Sequence, residues 1–294
     1  MIYDVAIIGG SYAGLAAATQ LARARRNIIV IDEGQRRNRF AENSHGFLTQ
    51  DGTEASEIVE IGKAQLLAYK TVNWQTGRVK RIETKNSNFH ICIDETCAVT
   101  AKKIIIATGV QDTLPDISGL KERWGKSIFH CPYCHGYELN QGKIGLLAMN
   151  KHSIQLALML PDWGNTTLLL NGRNDLLDPE VIEQLHRRKV IIDDRLIHRI
   201  DGHADVIFSH RENEQFDGLF VGTQTMIQQP GIFNLGLVID ENEFGQIIQT
   251  STLKETSISG IFACGDVARL GGSVTLAVAD GTMAGVSAHR SLIF

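Results

Sequence analysis

The chain has 294 residues, enough for two ordinary domains or for one large domain carrying an insertion. Hydrophobic residues at 43% and charged residues at 21% exclude both a disordered chain and a disulfide-stapled miniature. A net charge of −4 with no long Lys/Arg run leaves no field for a nucleic-acid backbone, so nucleic acid is excluded as a partner.

Residues 3–9 (YDVAIIG) form a short apolar run ending in glycine, and residues 14–25 (GLAAATQLARAR) are small, helix-forming and periodic. Asn27 to Asp32 (NIIVID) follows as a second β-rich run, so the opening predicts a βαβ unit with parallel neighbours. From about Asn73 to Ile106 the pattern predicts an antiparallel meander, with turns at Asn86–Asn88 and Asp94–Glu95 and a last strand at Lys103–Ala107. Gln111–Gly119 (QDTLPDISG) is rich in turn formers and marks a domain boundary.

A second unit then repeats the plan. It has strand Gly142–Leu147, helix Ser153–Leu160, strand Thr166–Leu170 and helix Asp178–Arg188 with an Asp-Pro start. The chain returns to the first domain near Val221–Thr223 and closes with strand Gly260–Ala263 and a helix over about Ser273–Arg290. The reading is an α/β protein. The chain opens directly on an apolar strand, without the order of a signal peptide, and no run of 18 apolar residues occurs, so the expectation is a cytoplasmic protein with no membrane partner.

Gly9, Gly10, Ser11, Tyr12, Ala13 and Gly14 occupy the first strand-to-helix turn, where backbone amides and the positive helix end can face a pyrophosphate. In the G-x-G-x-x-G frame Gly9 and Gly14 are the first and third glycines, and Ser11 replaces the second. Ser11 either pushes a pyrophosphate outward or binds it through its hydroxyl. Asp32, followed by Glu33, ends the next strand where an acid accepts from a ribose hydroxyl. The basic run Arg36–Phe40, including Arg39, and the pair His45–Gly46 follow; they meet cofactor or a neighbouring loop, or form a solvated charge run.

The richest stretch is His130-Cys131-Pro132-Tyr133-Cys134-His135-Gly136-Tyr137-Glu138. Two cysteines separated by two residues can close a small disulfide ring, and a neighbouring imidazole can move protons near neutral pH. Zinc is an alternative. However, adjacent His-Cys and Cys-His pairs converge poorly on a tetrahedron, and no second ligand pair follows, so no metal is expected. An inert structural pair is the other alternative. Cys92, Cys97 and Cys264 read as structural residues of strands.

Together these residues resemble the flavoprotein pyridine-nucleotide-disulfide oxidoreductases, and within them the low-molecular-weight thioredoxin reductases, along the whole chain. The resemblance also covers Ala107-Thr108-Gly109 at a strand end, Gly265-Asp266 after the strand GIFAC, and the helix start at Ser273 and Val274. It implies two Rossmann-like domains of the three-layer ββα type. The FAD domain would be discontinuous, residues 1–113 plus 223–294, and residues 114–222 would carry the Cys-x-x-Cys. It implies FAD as cofactor, with Asp266 on the ribityl chain and the helix start facing the isoalloxazine carbonyl. It further implies a homodimer, and a small dithiol or a thioredoxin-like protein as partner.

In thioredoxin reductases an acid usually follows the Cys-x-x-Cys, and here His135 takes that place. This is similar to the flavin-dependent dithiol oxidases with Cys-x-x-Cys-His. That similarity implies attack of Cys134 on the flavin, exchange of Cys131 with substrate, and His135 as acid/base. The second domain lacks what NADPH needs: its turn reads Ala148-Met149-Asn150-Lys151-His152-Ser153 without glycines, and Asn171-Gly172-Arg173 keeps one basic residue where the family has three. The expectation is therefore a dithiol oxidase that binds NADPH poorly or not at all, against an NADPH-dependent thioredoxin reductase with a divergent site and a non-catalytic flavin/thiol redox sensor.

Overall fold

The computed structural model describes all residues but Glu95 and Arg211, and of Cys97 and Ala98 the backbone alone. The expected turn residue Glu95 and the side chain of Cys97 thus lie outside the described residues. The chain forms two compact units. The first comprises Met1–Arg39, Phe47–Gln111 and Thr225–Phe294, and the second Phe40–Gly46 and Asp112–Gln224.

In the first unit, β1 (Ile2–Ile8), α1 (Tyr12–Arg23) and β2 (Ile28–Asp32) form the βαβ opening, followed by α2 (Ala55–Leu67) and β3 (Val72–Thr76). A meander β4 (Val79–Lys85), β5 (Asn88–Ile93) and β6 (Thr96–Ile106) follows. The sheet runs β3-β2-β1-β6-β5-β4, all parallel from β3 to β6 and antiparallel thereafter. Val72–Thr76 therefore belongs to the parallel sheet and not to the meander. Its residues pair with Ile28–Asp32, an edge that short-range alternation does not reveal.

In the second unit β7 (Ile128–Phe129) leads into α3 (Pro132–His135), then β8 (Gln141–Leu147), α4 (Lys151–Met159), β9 (Gly164–Leu169), α5 (Pro179–Arg187) and β10 (Ile191–Asp193). A three-stranded meander β11 (Ile197–Asp201), β12 (Asp205–Phe208) and β13 (Asn213–Gln215) precedes β14 (Gly218–Val221). The parallel sheet runs β7-β14-β8-β9-β10. Asp178 caps α5 by accepting from the Val181 amide at 2.8 Å, a contact contributing about 1 kcal/mol.

The chain then completes the first unit with β15 (Ile261–Ala263) and α6 (Val274–Arg290). Strand β6 serves two partners on one side: its beginning pairs with β5, and its end, Ile104–Ile106, pairs with β15 in parallel. Alternate residues of the central strands feed two cores. Val5, Ile7, Ile28, Val30 and Ile105 pack under the helices, and Ala6, Ile8, Ile29, Ile31 and Ile106 pack with the meander. The small residues of α1 have a reason here. A Cβ on Gly281 or Gly285 of α6 would overlap the backbone of Ala13 or Ala17, so the two helices meet without spacing side chains.

Each unit is thus a Rossmann-like parallel sheet with helices and an added meander, and the first unit is built from three separate stretches of the chain.

Candidate active site

The first unit places its glycine turn at the carboxyl end of β1. Gly9 has φ +100°, and a Cβ there would overlap the Ala107 carbonyl, while a Cβ on Gly14 would overlap the Gly9 carbonyl. Gly10 is equally constrained, because its missing Cβ makes room for the Trp74 ring and the Asp32 side chain. Ser11 is the N-cap of α1 with extended backbone and makes no capping bond from its side chain, so its hydroxyl does not close the helix end.

Asp32 accepts from the Gly10 amide at 3.0 Å and from the Gly34 amide at 3.2 Å. Glu33 lies 3.6 Å from Arg78. Ala107 is buried, Thr108 Oγ1 is a buried hydroxyl without a hydrogen-bond partner, and a Cβ on Gly109 would meet open space. At the other end of the chain Gly265 packs on Ala13, and Asp266 pairs with Arg37 at 2.8 Å. Ser273 caps α6 by accepting from the Leu276 amide at 3.2 Å, and Val274 is the first helical residue. Arg39 donates to the Arg36 carbonyl at 2.8 Å and is exposed.

In the second unit Cys131 and Cys134 are joined as a disulfide with Cα atoms 5.4 Å apart. Cys131 is the N-cap of α3, Pro132 fixes the first helical φ, and the Cys134 amide donates to the Cys131 carbonyl at 3.2 Å. The short helix is seated on Trp163, since a Cβ on Gly136 would overlap that ring. His135 stacks on Phe129 with ring centroids 4.2 Å apart and 17° between planes. Burial, with the nearby His130 and His45 imidazoles, pushes the His135 pKa down to about 4. The ring is therefore neutral near pH 7.

His45 sits in this unit, its Nε2 3.6 Å from Glu138 Oε1. His130 stacks on Trp124, and Tyr133 meets Trp163 edge-on at 5.1 Å. No group of His, Cys, Asp or Glu suited to a metal occurs among the described residues. Cys264 is fully buried, and burial followed by the Asp280 carboxylate pushes its pKa up to about 12, so it is inert. Cys92 is 3% exposed and is itself disulfide-bonded, a partner that the strand pattern did not announce.

The second strand-turn-helix, at the end of β8, is filled by its own side chains. Asn150 Oδ1 accepts from the Ser153 amide at 3.2 Å, and Ser153 Oγ accepts from the amides of Met149 at 2.9 Å and Asn150 at 3.4 Å, a capping box. Asn150 Nδ2 also donates to the Gly222 carbonyl at 3.1 Å. Arg173 forms a two-pronged pair with Asp175, both bonds 2.9 Å, and donates to the Met149 carbonyl. The hydrogen bonds that Arg173 donates to Asp175 hold its pKa above its ordinary value.

Two units of this kind, one with an open glycine turn and one bearing a Cys-x-x-Cys disulfide, have known counterparts. The sequence model for pyridine nucleotide-disulphide oxidoreductases matches residues 3–281. The chain belongs to that family. Like other members of this oxidoreductase family, it is an FAD-dependent thiol-disulfide oxidoreductase of the thioredoxin reductase-like kind. It is 29% identical to thioredoxin reductase sirT of Leptosphaeria maculans, over 97% of this chain and 92% of that one. Among solved structures, an oxidoreductase from Agrobacterium tumefaciens superposes with a TM-score of 0.97 at 49% identity, over 100% of this chain and 99% of that one. A thioredoxin reductase, TrxB, from Bacillus anthracis superposes with a TM-score of 0.90 at 26% identity, over 98% of both chains.

Sequence reasoning about this oxidoreductase missed four residues. Arg37 was seen only as part of a basic run, and its partner Asp266 lies 229 positions away. Trp74 carried no signal. Asn150 and Ser153 did carry one, the polar N-cap followed three residues later by a second polar side chain, which spells a capping box.

Proposed function

We propose that this oxidoreductase is an FAD-dependent dithiol oxidase, whose electrons come from a dithiol substrate and leave to oxygen and not to or from a nicotinamide. The observation that carries this reading is the occupied turn of the second unit. An incoming pyrophosphate would have to displace the Asn150 and Ser153 side chains from the amides it needs, and Arg173 is already committed to Asp175. Each bond lost in this way removes a contribution of about 0.5–1.5 kcal/mol.

The residues of the first unit fit FAD: the turn has no room for side chains at Gly9 and Gly14, and Thr108 Oγ1 is a buried polar atom awaiting a partner. Gly9, Ser11, Tyr12, Ala13 and Gly14 would hold its pyrophosphate, Asp32 and Glu33 its adenosine ribose, and Ala107, Thr108, Gly109, Gly265, Asp266, Ser273 and Val274 its flavin end. FAD, when bound there, would supply the two-electron acceptor for the reduced cysteine pair, with dioxygen as the terminal oxidant. Residues 1–113 with 223–294 would form its domain, and 114–222 the thiol domain.

The chain's own step is thiol exchange. A substrate thiolate attacks Cys131 Sγ, the Cys131–Cys134 bond breaks, and Cys134 leaves as a thiolate. The second substrate thiol then closes the product disulfide and releases Cys131. One disulfide is made and one is reduced, so electrons and sulfur balance. His135, held uncharged by burial, is the group next to the pair that would shuttle protons between the substrate thiols and the departing Cys134 thiolate. The substrate is a small dithiol, or a thioredoxin-like protein; the protein works as a homodimer in the cytoplasm.

A second reading, reduction of a thioredoxin by NADPH, is favoured by the likeness to proteins known as thioredoxin reductases. Anaerobic mixing with NADPH, NADH and dithiothreitol, following flavin absorbance, separates the two. Bleaching by dithiothreitol alone, with peroxide on admitting air, is the expected outcome. Fast bleaching by micromolar NADPH would establish the second reading instead.

A further inference from the structure

Helix α6 is built of small residues on its inner side, Ala277, Gly281, Ala284, Gly285 and Ala288, and among them it buries one acid, Asp280, which is 7% exposed. Aspartate is a poor residue for a helix interior, and burying its carboxylate is costly unless the charge is paired. Two cations meet it. Lys254 Nζ lies 2.8 Å from Asp280 Oδ1 and Arg269 Nη1 lies 3.3 Å from Oδ2, with all three side chains mostly buried. The thiol exchange at Cys131 and Cys134 uses none of the three.

Lys254 stands in the left-handed region at φ +66°, and its carbonyl accepts from the Ala263 amide at 2.9 Å, at the end of β15. Such a backbone is strained for a residue with a Cβ and persists where surrounding contacts hold it. Arg269 lies in the segment Gly265–Ser273, between β15 and α6, which also carries Asp266. That segment is loose by composition: Leu270 is exposed, Gly271 has φ +69° and Gly272 follows it. Asp266 rests against the second glycine, since a Cβ on Gly272 would overlap the Asp266 carboxylate. The place of Asp266 thus depends on the path of the two glycines, and Arg269 ties that path to α6. Arg269 Nε is buried without a hydrogen-bond partner, so the Asp280 carboxylate is what offsets the guanidinium charge.

We propose that Lys254, Asp280 and Arg269 form a positioning triad for the flavin end of the cofactor site: Asp280 holds Arg269, Arg269 fixes the glycine-containing segment, and the segment sets Asp266 and the start of α6 against the flavin. Lys254 keeps the buried carboxylate paired from the side of β15. The inference rests on the placement of Asp266, Ser273 and Val274 at the flavin end, and is independent of the direction of electron flow.

FAD and ADP read against each other test it, because ADP carries the adenosine and both phosphates of FAD and lacks the ribityl flavin. The FAD Kd is measured by diluting the holo-protein and following FAD fluorescence, and the ADP constant by competition for FAD on the same protein. Asp280→Asn and Arg269→Gln each weaken FAD by about 10- to 30-fold, the loss expected for one charge-assisted bond, and leave ADP within about twofold. A triad that only stabilised the fold would weaken both ligands together. Arg269→Lys, which keeps the charge, stays within about threefold of wild type for FAD, and the double variant Asp280→Asn/Arg269→Gln is no weaker than either single one, because the two act through one contact. Asp266→Asn separates the inference from its premise, since it weakens FAD if the segment faces the flavin. No effect of Asp266→Asn refutes that placement and the triad with it. An effect of Asp266→Asn with unchanged FAD binding in folded Asp280→Asn protein, or equal losses of FAD and ADP, overturns the triad alone. Circular dichroism verifies folding. Should Asp280→Asn not fold, Arg269→Gln, at a side chain more than a quarter exposed, decides by the same two constants.

Discussion

His135 carries the clearest residue-scale consequence. Its pKa in the folded protein is about 4, below the ordinary 6.5, so the unfolded chain binds this proton more tightly than the native one. Stability is thus full above pH 6.5 and declines as pH falls from 6.5 toward 4. About 2 kcal/mol is expected over that range, after discounting for partial exposure. His135→Phe preserves the stack on Phe129 and removes the titration, so its urea midpoint should fall less than that of wild type between pH 7 and 4.5. Equal losses in the two proteins would refute the burial account. The same variant should slow anaerobic flavin reduction by dithiothreitol about 100-fold at pH 7, as loss of a general base does. Cys131→Ser and Cys134→Ser should each reduce it further while retaining FAD, whose proposed contacts are all in the other unit. A Cys134→Ser protein that dithiothreitol bleaches at the wild-type rate would remove the pair from the reaction.

At the scale of elements, helix α4 begins on a structural cap at the place where the first unit has its glycine turn. Asn150 and Ser153 satisfy amides that a glycine-rich turn leaves open. Asn150→Ala should lower stability by about 1 kcal/mol, measured by urea unfolding, and Ser153→Ala by a similar amount. Neither should create affinity for NADPH, because Arg173 remains held by Asp175. Quenching of protein fluorescence by micromolar NADPH in the Asn150→Ala variant would show that the cap alone excludes the nucleotide. Local pattern made much of this legible: the strands at Ile2–Ile8 and Gln141–Leu147, the helix starting after Asp178 and the last helix after Ser273 follow from apolar runs and capping residues a few positions apart. What it left hidden depends on distant partners. Val72–Thr76 joins the parallel sheet because Ile28–Asp32 offers an open edge, and Arg37 is buried because Asp266 comes from the other end of the chain. No window of a dozen residues contains either cause.

For the whole molecule, the distribution of the proposed FAD residues predicts an unequal response to cofactor. They lie within the first 39 residues, on the turn just after β6 and on the segment from Gly265 to Val274, three stretches that meet in one unit. Ordering them together is a loop-closure penalty for the empty protein, and a ligand touching all three offsets it. FAD at 100 times its Kd stabilises the unit it binds by about 2.7 kcal/mol. The second unit has its own buried cores, centred on Ile144, Leu168 and Phe220 and on Leu147, Leu169 and Phe208, and gains nothing directly. Calorimetry of protein stripped of FAD should therefore show two transitions, one that rises by several degrees on adding FAD and one that does not move. Limited proteolysis assigns them: cuts in the stripped protein should concentrate between residues 34 and 52 and between 265 and 273, and FAD should suppress them. A single transition that moves as a whole would mean that the two units unfold as one cooperative body, and that the cofactor's stabilisation is shared by the thiol-bearing unit as well.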